Sequence, residues 1–275
     1  RPLGRGGCAG RDSARCRRLW LDGAIVNLTD EQLDRYQRHI VLREIGGLGQ
    51  KRFLQSRVAV IGAGGLGCPM LASLAAAGIG RLTIIDDDQV ALSNLQRQTL
   101  FTTGDVGRWK AYAAAERLAA INPDVQIEVV TARITVANAE ALLAGHDSIA
   151  DGCDNFLTRA VVNAAAVKLG IPLVSAALGP FEGQLGVFAG HLPDTPCHAC
   201  FAGAATDVPG TSCADVGVLG AVASVMGSAQ AIEVLRLAAG FGGSRIGQLW
   251  LFDGLTMEAR SVRVAKDPAC PVCAR

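Results

Sequence analysis

A strand-like apolar run that meets a cluster of glycines constrains the fold of this chain more than any other feature. The segment RVAVIGAGGLGCPM spans residues 57–70, and a second apolar run, RLTIID, ends at Asp86. In dinucleotide-binding folds, glycines after the first strand let a phosphate approach the backbone, and an acid after the second strand binds ribose hydroxyls. Gly62, Gly64 and Gly67 fit that spacing. The segment therefore predicts a nucleotide site at the start of a helix.

Strand and helix patterns alternate along the next hundred residues. They predict helices at 66–77, near 107–120, near 136–144 and at 155–169. They predict strands at 57–61, 81–86, 125–130 and 172–178, and another strand that ends at residue 151. Such alternation requires parallel crossovers. The later runs GQLGVFAG, IGQLWLFDG and RSVRVA lack full crossovers, which indicates antiparallel strands. We predict an α/β fold with a Rossmann-like, doubly wound mixed sheet, parallel in its nucleotide-binding half and antiparallel in its C-terminal strands.

The regions that flank this alternation differ from it in composition. The first 18 residues hold six arginines against one acid, so residues 1–27 are interpreted as a disordered or extraneous extension. Residues 28–275 are predicted to form one domain, with a nucleotide-binding half at about 57–180 and a second half at about 181–275. Thr29 or Asp30 is expected to cap one or two helices before the first strand. Residues 190–215 are predicted to form a long loop.

Charge and hydropathy narrow the classes of partner. The formal net charge is +1, so no global basic field favours nucleic acid or a membrane surface. The most apolar segment, from residue 216, is rich in Gly, Ala and Ser, and Glu233 and Arg236 interrupt it. This composition predicts a helix packed inside the protein rather than a membrane span. Small molecules and proteins are the expected partners.

A polar cluster follows Asp86, where a dehydrogenase has no need of one. The sequence DDDQVALSNLQRQTLF supplies Asn94, Arg97 and Gln98, and Lys110 follows at the start of the next predicted helix. An arginine fork and a lysine point charge suit phosphate oxygens. Both residues lie beyond strand ends that feed the same edge of a parallel sheet, so the cluster predicts a triphosphate-binding site.

A second acidic segment, DGCDN, follows the fourth predicted strand and contains Asp151 and Asp154. Magnesium bound to phosphates takes one or two protein carboxylates, so Asp154 with Asp88 or Asp151 would suffice. The alternative is that Asp154 or Asn155 caps the helix that begins there. The residues alone leave both interpretations open.

Nine cysteines occur in the chain, and four of them form the pairs CHAC, at 197–200, and CPVC, at 270–273. We see no secretion signal, so metal binding or thiol chemistry in a reducing compartment is favoured over a disulfide framework. The expected location is the cytoplasm. Paired CxxC motifs are typical of zinc sites, and two redox-active motifs are the alternative.

Together these motifs resemble the MoeB/ThiF (HesA/MoeB/ThiF) family, the bacterial relatives of ubiquitin-activating enzymes. The likeness covers residues 29–275 through RYQRHIVL, IGAGGLG, SNLQRQTLF, DGCDN and the two CxxC pairs, in the family's order. The resemblance implies an adenylyltransferase. Such an enzyme uses ATP and Mg²⁺ to activate the C-terminal glycine carboxylate of a ubiquitin-like sulfur carrier protein as its acyl adenylate.

The resemblance also implies roles for individual residues. Asp154 would face the magnesium, Arg97 and Lys110 the phosphates, and Asp86 the ribose. Asn94 and Gln98 would assist, and Asp88 would belong to the nucleotide site. The glycines that would face the nucleotide are Gly62, Gly64, Gly65 and Gly67. A Zn²⁺ ion would be held by Cys197, Cys200, Cys270 and Cys273. Arg38 would reach the ATP site of a partner subunit, which implies a homodimer. Cys213 lies where some family members have a cysteine that reacts with the carrier, while in others it is dispensable.

Several alternatives remain at this stage. The carrier is expected to be of the molybdopterin-synthase type (MoaD-like), and the thiamine thiazole type (ThiS-like) is the runner-up; a tRNA-modifying relative is a weaker option. No C-terminal rhodanese domain is evident, so a separate sulfur donor, a desulfurase or a rhodanese, is expected. An NAD-dependent oxidoreductase would account for the glycines and Asp86 but not for Arg97, Lys110 and Asp154.

Overall fold

The computed structural model describes residues 28–203 and 217–274. The chain begins with three short helices, where one or two were predicted: α1 (Asp30–Arg35), α2 (Gln37–Ile40) and α3 (Gly46–Gln55). Thr29 caps α1, because its side chain accepts a hydrogen bond from the Gln32 amide while the Gln32 side-chain oxygen accepts one from the Thr29 amide. This capping box determines where α1 begins.

Alternating strands and helices follow, as the sequence predicted. They are β1 (Arg57–Ile61), α4 (Gly67–Ala77), β2 (Arg81–Ile85), α5 (Lys110–Ile121), β3 (Gln126–Val130), α6 (Ala139–Leu143), β4 (Ser148–Asp151), α7 (Phe156–Leu169) and β5 (Leu173–Leu178). The five strands are parallel and lie in the order β3-β2-β1-β4-β5. This is the doubly wound order: successive strands are added on one side of β1 up to β3, and on its other side from β4 onward, so the strand order reverses between β1 and β4.

The C-terminal third extends the same sheet with antiparallel strands. Its elements are β6 (Glu182–Phe188), α8 (His198–Ala202), α9 (Gly220–Ala239), β7 (Gln248–Asp253) and β8 (Glu258–Arg263). β6, β7 and β8 continue from β5 as antiparallel neighbours, which gives one eight-stranded mixed sheet. The predicted fold class is therefore confirmed. Of the predicted loop, residues 190–203 are described and contain α8, whereas Cys213 lies outside the described residues.

Both faces of the central strands are buried, so β1 is apolar at consecutive positions. Val58 and Val60 face one apolar cluster, which includes side chains of α4, α5 and α9. Ala59 and Ile61 face a second cluster, formed with α6 and α7. Helices on both faces are what a parallel sheet requires.

One helix among the described residues, α9, is long and apolar enough to cross a membrane by length and composition. It packs on α4, β5 and β6. Gln230 on its inner face is fully buried and donates to the carbonyls of Asp151, at 2.8 Å, and Val174, at 3.0 Å. Because the buried Gln230 amide is hydrogen-bonded to two strands, α9 is a helix of the protein core, as its composition predicted.

Candidate active site

A cleft of about 1180 Å³ opens at the carboxyl ends of the parallel strands. Residues that follow β1, β2, β3 and β4 line it, and so do residues of β6, β7 and β8. This edge, where the strand order reverses, is the usual ligand site of doubly wound sheets. The cleft continues from the glycine turn to the antiparallel strands, so it is long enough for a nucleotide and a second substrate.

The glycine turn after β1 has the tight geometry that its sequence predicted. Gly62 has a φ of +89°, a conformation that favours glycine. A Cβ on Gly67 would lie 2.0 Å from the Gly62 carbonyl oxygen, so α4 could not start this close to β1 with a larger residue. Gly62, Gly64 and Gly65 line the cleft, whereas Gly67 is held by this packing behind it.

Asp86 fastens the glycine turn to the segment after β2. One carboxylate oxygen accepts the Ala63 amide at 2.7 Å, and the other accepts the Asp88 amide at 2.9 Å. Burial raises the pKa of Asp86, although the positive charge of Lys110 acts in the opposite direction. The carboxylate keeps free lone pairs toward the cleft that it lines, so it could accept hydroxyl donors.

Lys110, the first residue of α5, is a buried cation that lines the cleft. Its ammonium lies 2.7 Å from an Asp88 carboxylate oxygen, and its side chain is 7% exposed while that of Asp88 is 68% exposed. The two backbones are also joined, since the Lys110 amide donates to the Asp88 carbonyl at 3.0 Å. An ammonium placed this deep requires an anionic partner. Asp88 provides one, and a phosphate in the cleft could provide another.

Asn94, Arg97 and Gln98 are brought together by a 3₁₀ turn at Leu92–Asn94. The Asn94 side chain accepts the Ala91 amide at 3.1 Å, and an Arg97 guanidinium nitrogen donates to the Ser93 carbonyl at 3.2 Å. Gln98 is 3% exposed, and its Oε1 atom has no hydrogen-bond partner in the part of the chain that the structure describes. A buried acceptor of this kind calls for a donor from a ligand or water.

The structure separates the two carboxylates of DGCDN. Asn155 caps α7, because its side chain accepts the Thr158 amide at 2.8 Å. Asp151 is fully buried and accepts hydrogen bonds from the Ser175 hydroxyl and the Cys153 amide. Asp154 is exposed and lines the cleft. Of the three carboxylates considered for Mg²⁺ from the sequence, Asp154 and Asp88 line the cleft and Asp151 does not.

Arg38 does not line the cleft of its own chain and is exposed on α2. Its neighbour Tyr36, in contrast, is buried, and its hydroxyl accepts the Asn122 side-chain amide at 2.8 Å. Tyr36 also fills the space beside Gly78, where a Cβ would lie 2.5 Å from the Tyr36 hydroxyl. Sequence reasoning missed this core anchor, although an aromatic residue within an otherwise polar stretch was a usable signal.

The four paired cysteines converge beside α8. Their Sγ atoms all lie within 4.8 Å of one another, with separations of 3.6 Å for Cys197–Cys270 and 3.4 Å for Cys200–Cys273. Tetrahedral zinc with Zn–S bonds of about 2.3 Å places its sulfurs about 3.8 Å apart. The cluster fits a closed zinc site that ties the loop at 190–203 to the C-terminal segment.

His198 lies between the cysteines of the first pair in sequence but faces the opposite way. Its ring packs edge-on against Phe188, with centroids 5.3 Å apart, and it lines the cleft. Burial lowers the pKa of His198 to about 4. The α8 segment therefore connects the cysteine cluster to the cleft wall.

The fold is an α/β fold with a cleft at the edge of the sheet where such folds bind ligands, and a cluster of four cysteines that could hold a metal ion. Residues 36–272 match the ThiF family, and the chain belongs to that family, as its motifs predicted. It is 44% identical to the sulfur carrier protein adenylyltransferase of Thermus thermophilus over 89% of this chain and 92% of that protein. It is 38% identical to the molybdopterin-synthase adenylyltransferase of Escherichia coli, over 90% of this chain and 99% of that protein.

Two further comparisons extend this result. The mouse adenylyltransferase and sulfurtransferase MOCS3 is 44% identical over 90% of this chain, which spans 54% of that longer protein. The crystal structure of E. coli MccB with ATP superposes with a TM-score of 0.77 at 21% identity, over 91% of this chain and 76% of that one. The MccB likeness establishes the fold alone.

Proposed function

We propose that this protein is an ATP-dependent adenylyltransferase that activates the C-terminal glycine carboxylate of a ubiquitin-like sulfur carrier protein. The product is the carrier acyl adenylate, and pyrophosphate leaves. The observation that carries the proposal is the buried Lys110 ammonium held on Asp88 beside the glycine turn. An NAD oxidoreductase, the alternative, binds a diphosphate and has no use for this cation together with Arg97 and Asp154.

The chemistry needs positioning and neutralisation of charge rather than a base. A terminal carboxylate is already an anion at neutral pH, so it attacks the α-phosphorus without a proton acceptor. In the attack, a carboxylate oxygen forms a bond to phosphorus as the bond to the bridging oxygen of pyrophosphate breaks. The charge that develops on the phosphate oxygens is met by Arg97 and Lys110, which approach from the segment after β2 and the start of α5.

The remaining residues of the cleft orient the nucleotide. Gly64 and Gly65 leave room for phosphate oxygens to approach the backbone, and Asp86 accepts the ribose hydroxyls. Gln98 offers its unpartnered Oε1 atom to a donor on the ligand or its water shell. Asn94 lies in the same wall.

Asp154 and Asp88 would hold Mg²⁺, and the cysteine cluster would hold Zn²⁺. Magnesium supplies charge neutralisation of the phosphates when it is bound. Lys110, which lies 2.7 Å from Asp88 in this structure, would contact a phosphate of the bound nucleotide. Zinc in a closed Cys₄ site would serve the fold of α8 and the C-terminal segment, without an open position for substrate.

The carrier is proposed to be of the molybdopterin-synthase type. The name of the E. coli relative, which this chain matches over 99% of its length, supports this choice. The thiamine thiazole carrier is the second candidate. Because Arg38 lies outside its own cleft, its proposed contact with ATP requires a second copy of the chain, and we propose a homodimer with two composite sites. A separate sulfur donor would complete the reaction sequence, in the cytoplasm.

ATP–pyrophosphate exchange tests this function. The purified protein with Mg²⁺ and labelled pyrophosphate should incorporate label into ATP only when a carrier is present, with the molybdopterin-type carrier preferred over the thiamine type. A carrier lacking its last glycine is the matched control and should give no exchange. Absence of exchange with either carrier, together with NAD binding, would overturn the proposal.

A further inference from the structure

The segment between β2 and α5, residues 86–109, carries or adjoins every cation proposed to contact phosphate. It contains Arg97 and ends immediately before Lys110. It has little regular structure beyond two 3₁₀ turns, at Leu92–Asn94 and Thr103–Asp105. Lys110 begins α5, so the position of the lysine depends on how the end of this segment is held against its start and against that helix.

Asp105 is the most heavily bonded acid in this segment, although it does not line the cleft. Its side chain is 5% exposed. One carboxylate oxygen accepts the Thr102 amide at 2.8 Å, the Thr102 hydroxyl at 2.7 Å and an Arg117 guanidinium at 3.2 Å. The other accepts an Arg108 guanidinium at 2.9 Å. These hydrogen bonds, led by the Thr102 hydroxyl, hold the pKa of Asp105 well below its usual range.

The partners of Asp105 belong to two different parts of the chain. Thr102 and Arg108 flank it in the segment, whereas Arg117 lies on α5, seven residues after Lys110. Arg108 also contacts α5, through Glu116 at 2.5 Å. The buried carboxylate therefore ties the end of the segment to the body of the helix that Lys110 begins.

Backbone hydrogen bonds carry this tie to the lysine. The Val90 amide donates to the Arg108 carbonyl at 2.9 Å, and the Gly107 amide donates back to the Val90 carbonyl at 2.8 Å. The Lys110 amide then donates to the Asp88 carbonyl at 3.0 Å. This short ladder joins residues 107–110 to residues 88–90, and it sets the register that places the Lys110 ammonium on Asp88.

We propose that Asp105 is a positioning residue of the adenylylation site, which acts through Lys110 by fixing the register between residues 107–110 and 88–90. The inference rests on the proposed function, because it assigns Lys110 to the phosphates. Loss of the carboxylate leaves two guanidinium groups and the Thr102 amide without their shared acceptor. The segment then relaxes, and displacement of a charge by about 1 Å can cost roughly 100-fold in rate.

A double-mutant cycle separates this role from a purely structural one. Asp105→Asn, Lys110→Ala and the double variant are compared in ATP–pyrophosphate exchange and in calorimetric ATP binding. Asp147→Asn is the matched control, since Asp147 also accepts a backbone amide and pairs with an arginine, Arg57, away from the cleft. Thermal unfolding checks that each variant folds. If Asp105→Asn fails to fold, Thr102→Val removes one donor from the same carboxylate and replaces it in the cycle.

We expect Asp105→Asn to lower kcat/KM for ATP by roughly 10- to 100-fold and to leave KM for the carrier unchanged. The Asp147→Asn control should keep the wild-type kcat/KM for ATP. In the Lys110→Ala variant, Asp105→Asn should lower kcat/KM for ATP by less than about a further twofold. The reason is that the effects of two substitutions are not additive when one residue acts through the other. Independent effects that multiply, or unchanged activity of Asp105→Asn, would overturn the proposal. Absence of exchange in the wild type would instead reject the proposed function, and the cycle in ATP binding would still test Asp105.

Discussion

Gly64→Ala should leave the fold intact and remove nucleotide binding. A Cβ at this position meets a single atom within 4 Å, Nε2 of Gln98 at 3.7 Å, which is an ordinary van der Waals contact. Replacement of glycine where the backbone tolerates alanine changes stability by about 1 kcal/mol or less. The new methyl group would point into the cleft that Gly64 lines, where the proposed phosphates approach the backbone. We expect ATP affinity to fall at least tenfold, which corresponds to about 1.4 kcal/mol.

Two other glycines provide the comparison for this variant. In Gly67→Ala the Cβ would lie 2.0 Å from the Gly62 carbonyl oxygen, so the turn itself must move. Overpacking of this kind costs about 1–3 kcal/mol or more. Gly104→Ala meets only the Thr102 hydroxyl, at 3.8 Å, and serves as the neutral control.

Thermal unfolding and calorimetric ATP titration distinguish these cases. Gly67→Ala should lower both stability and ATP affinity, Gly64→Ala only ATP affinity, and Gly104→Ala neither. Wild-type ATP affinity in a folded Gly64→Ala variant would refute the reasoning, because it would show that the nucleotide does not approach this turn.

Further outcomes follow from the same geometry. Arg38→Ala should lose roughly 100-fold in exchange activity with an unchanged melting temperature. If subunits share sites, mixing it with Lys110→Ala, whose activity is also reduced, should give more exchange than either variant alone. No gain on mixing would exclude that sharing. Chelation of zinc or the Cys270→Ser substitution should remove about one zinc ion per chain, as measured by metal analysis. If the free energy of unfolding falls by about 3 kcal/mol, Tm should fall by roughly 6–12 °C. A native protein that contains no metal would contradict the zinc assignment. Cys213→Ser should leave exchange unchanged if that cysteine acts only after adenylylation. A loss of exchange would show that Cys213 is needed for adenylylation itself.

Local sequence patterns predicted most of the fold. The β1 run, the glycine turn and the β2 run lie within two residues of their predicted bounds, because period and glycine spacing are local properties. The antiparallel C-terminal strands also followed from the lack of crossovers between them. The prediction of one or two helices before β1 was wrong, because Tyr36 separates α1 from α2 and its tertiary contacts are not a local property of the sequence.

Side-chain partners were less accessible from the sequence. The choice between Asp154 and Asn155 as the helix cap depends on one hydrogen bond, from the Thr158 amide, that only the fold reveals. The deep placement of Lys110 on Asp88 joins residues 22 positions apart and has no local signature. The role of Asp105 has no local signature for the same reason, because its partner on α5, Arg117, comes close only after the segment folds back.

Transfer of oxygen from the carrier to AMP tests the central claim most directly. A carrier labelled with ¹⁸O in its C-terminal carboxylate is incubated with the protein, Mg²⁺ and unlabelled ATP, and the acyl adenylate is then released with a sulfur or amine nucleophile. Attack of the carboxylate on the α-phosphorus predicts one ¹⁸O atom in the phosphate of the AMP recovered, by mass spectrometry. Recovery of unlabelled AMP, or of ADP together with labelled inorganic phosphate, would contradict the account.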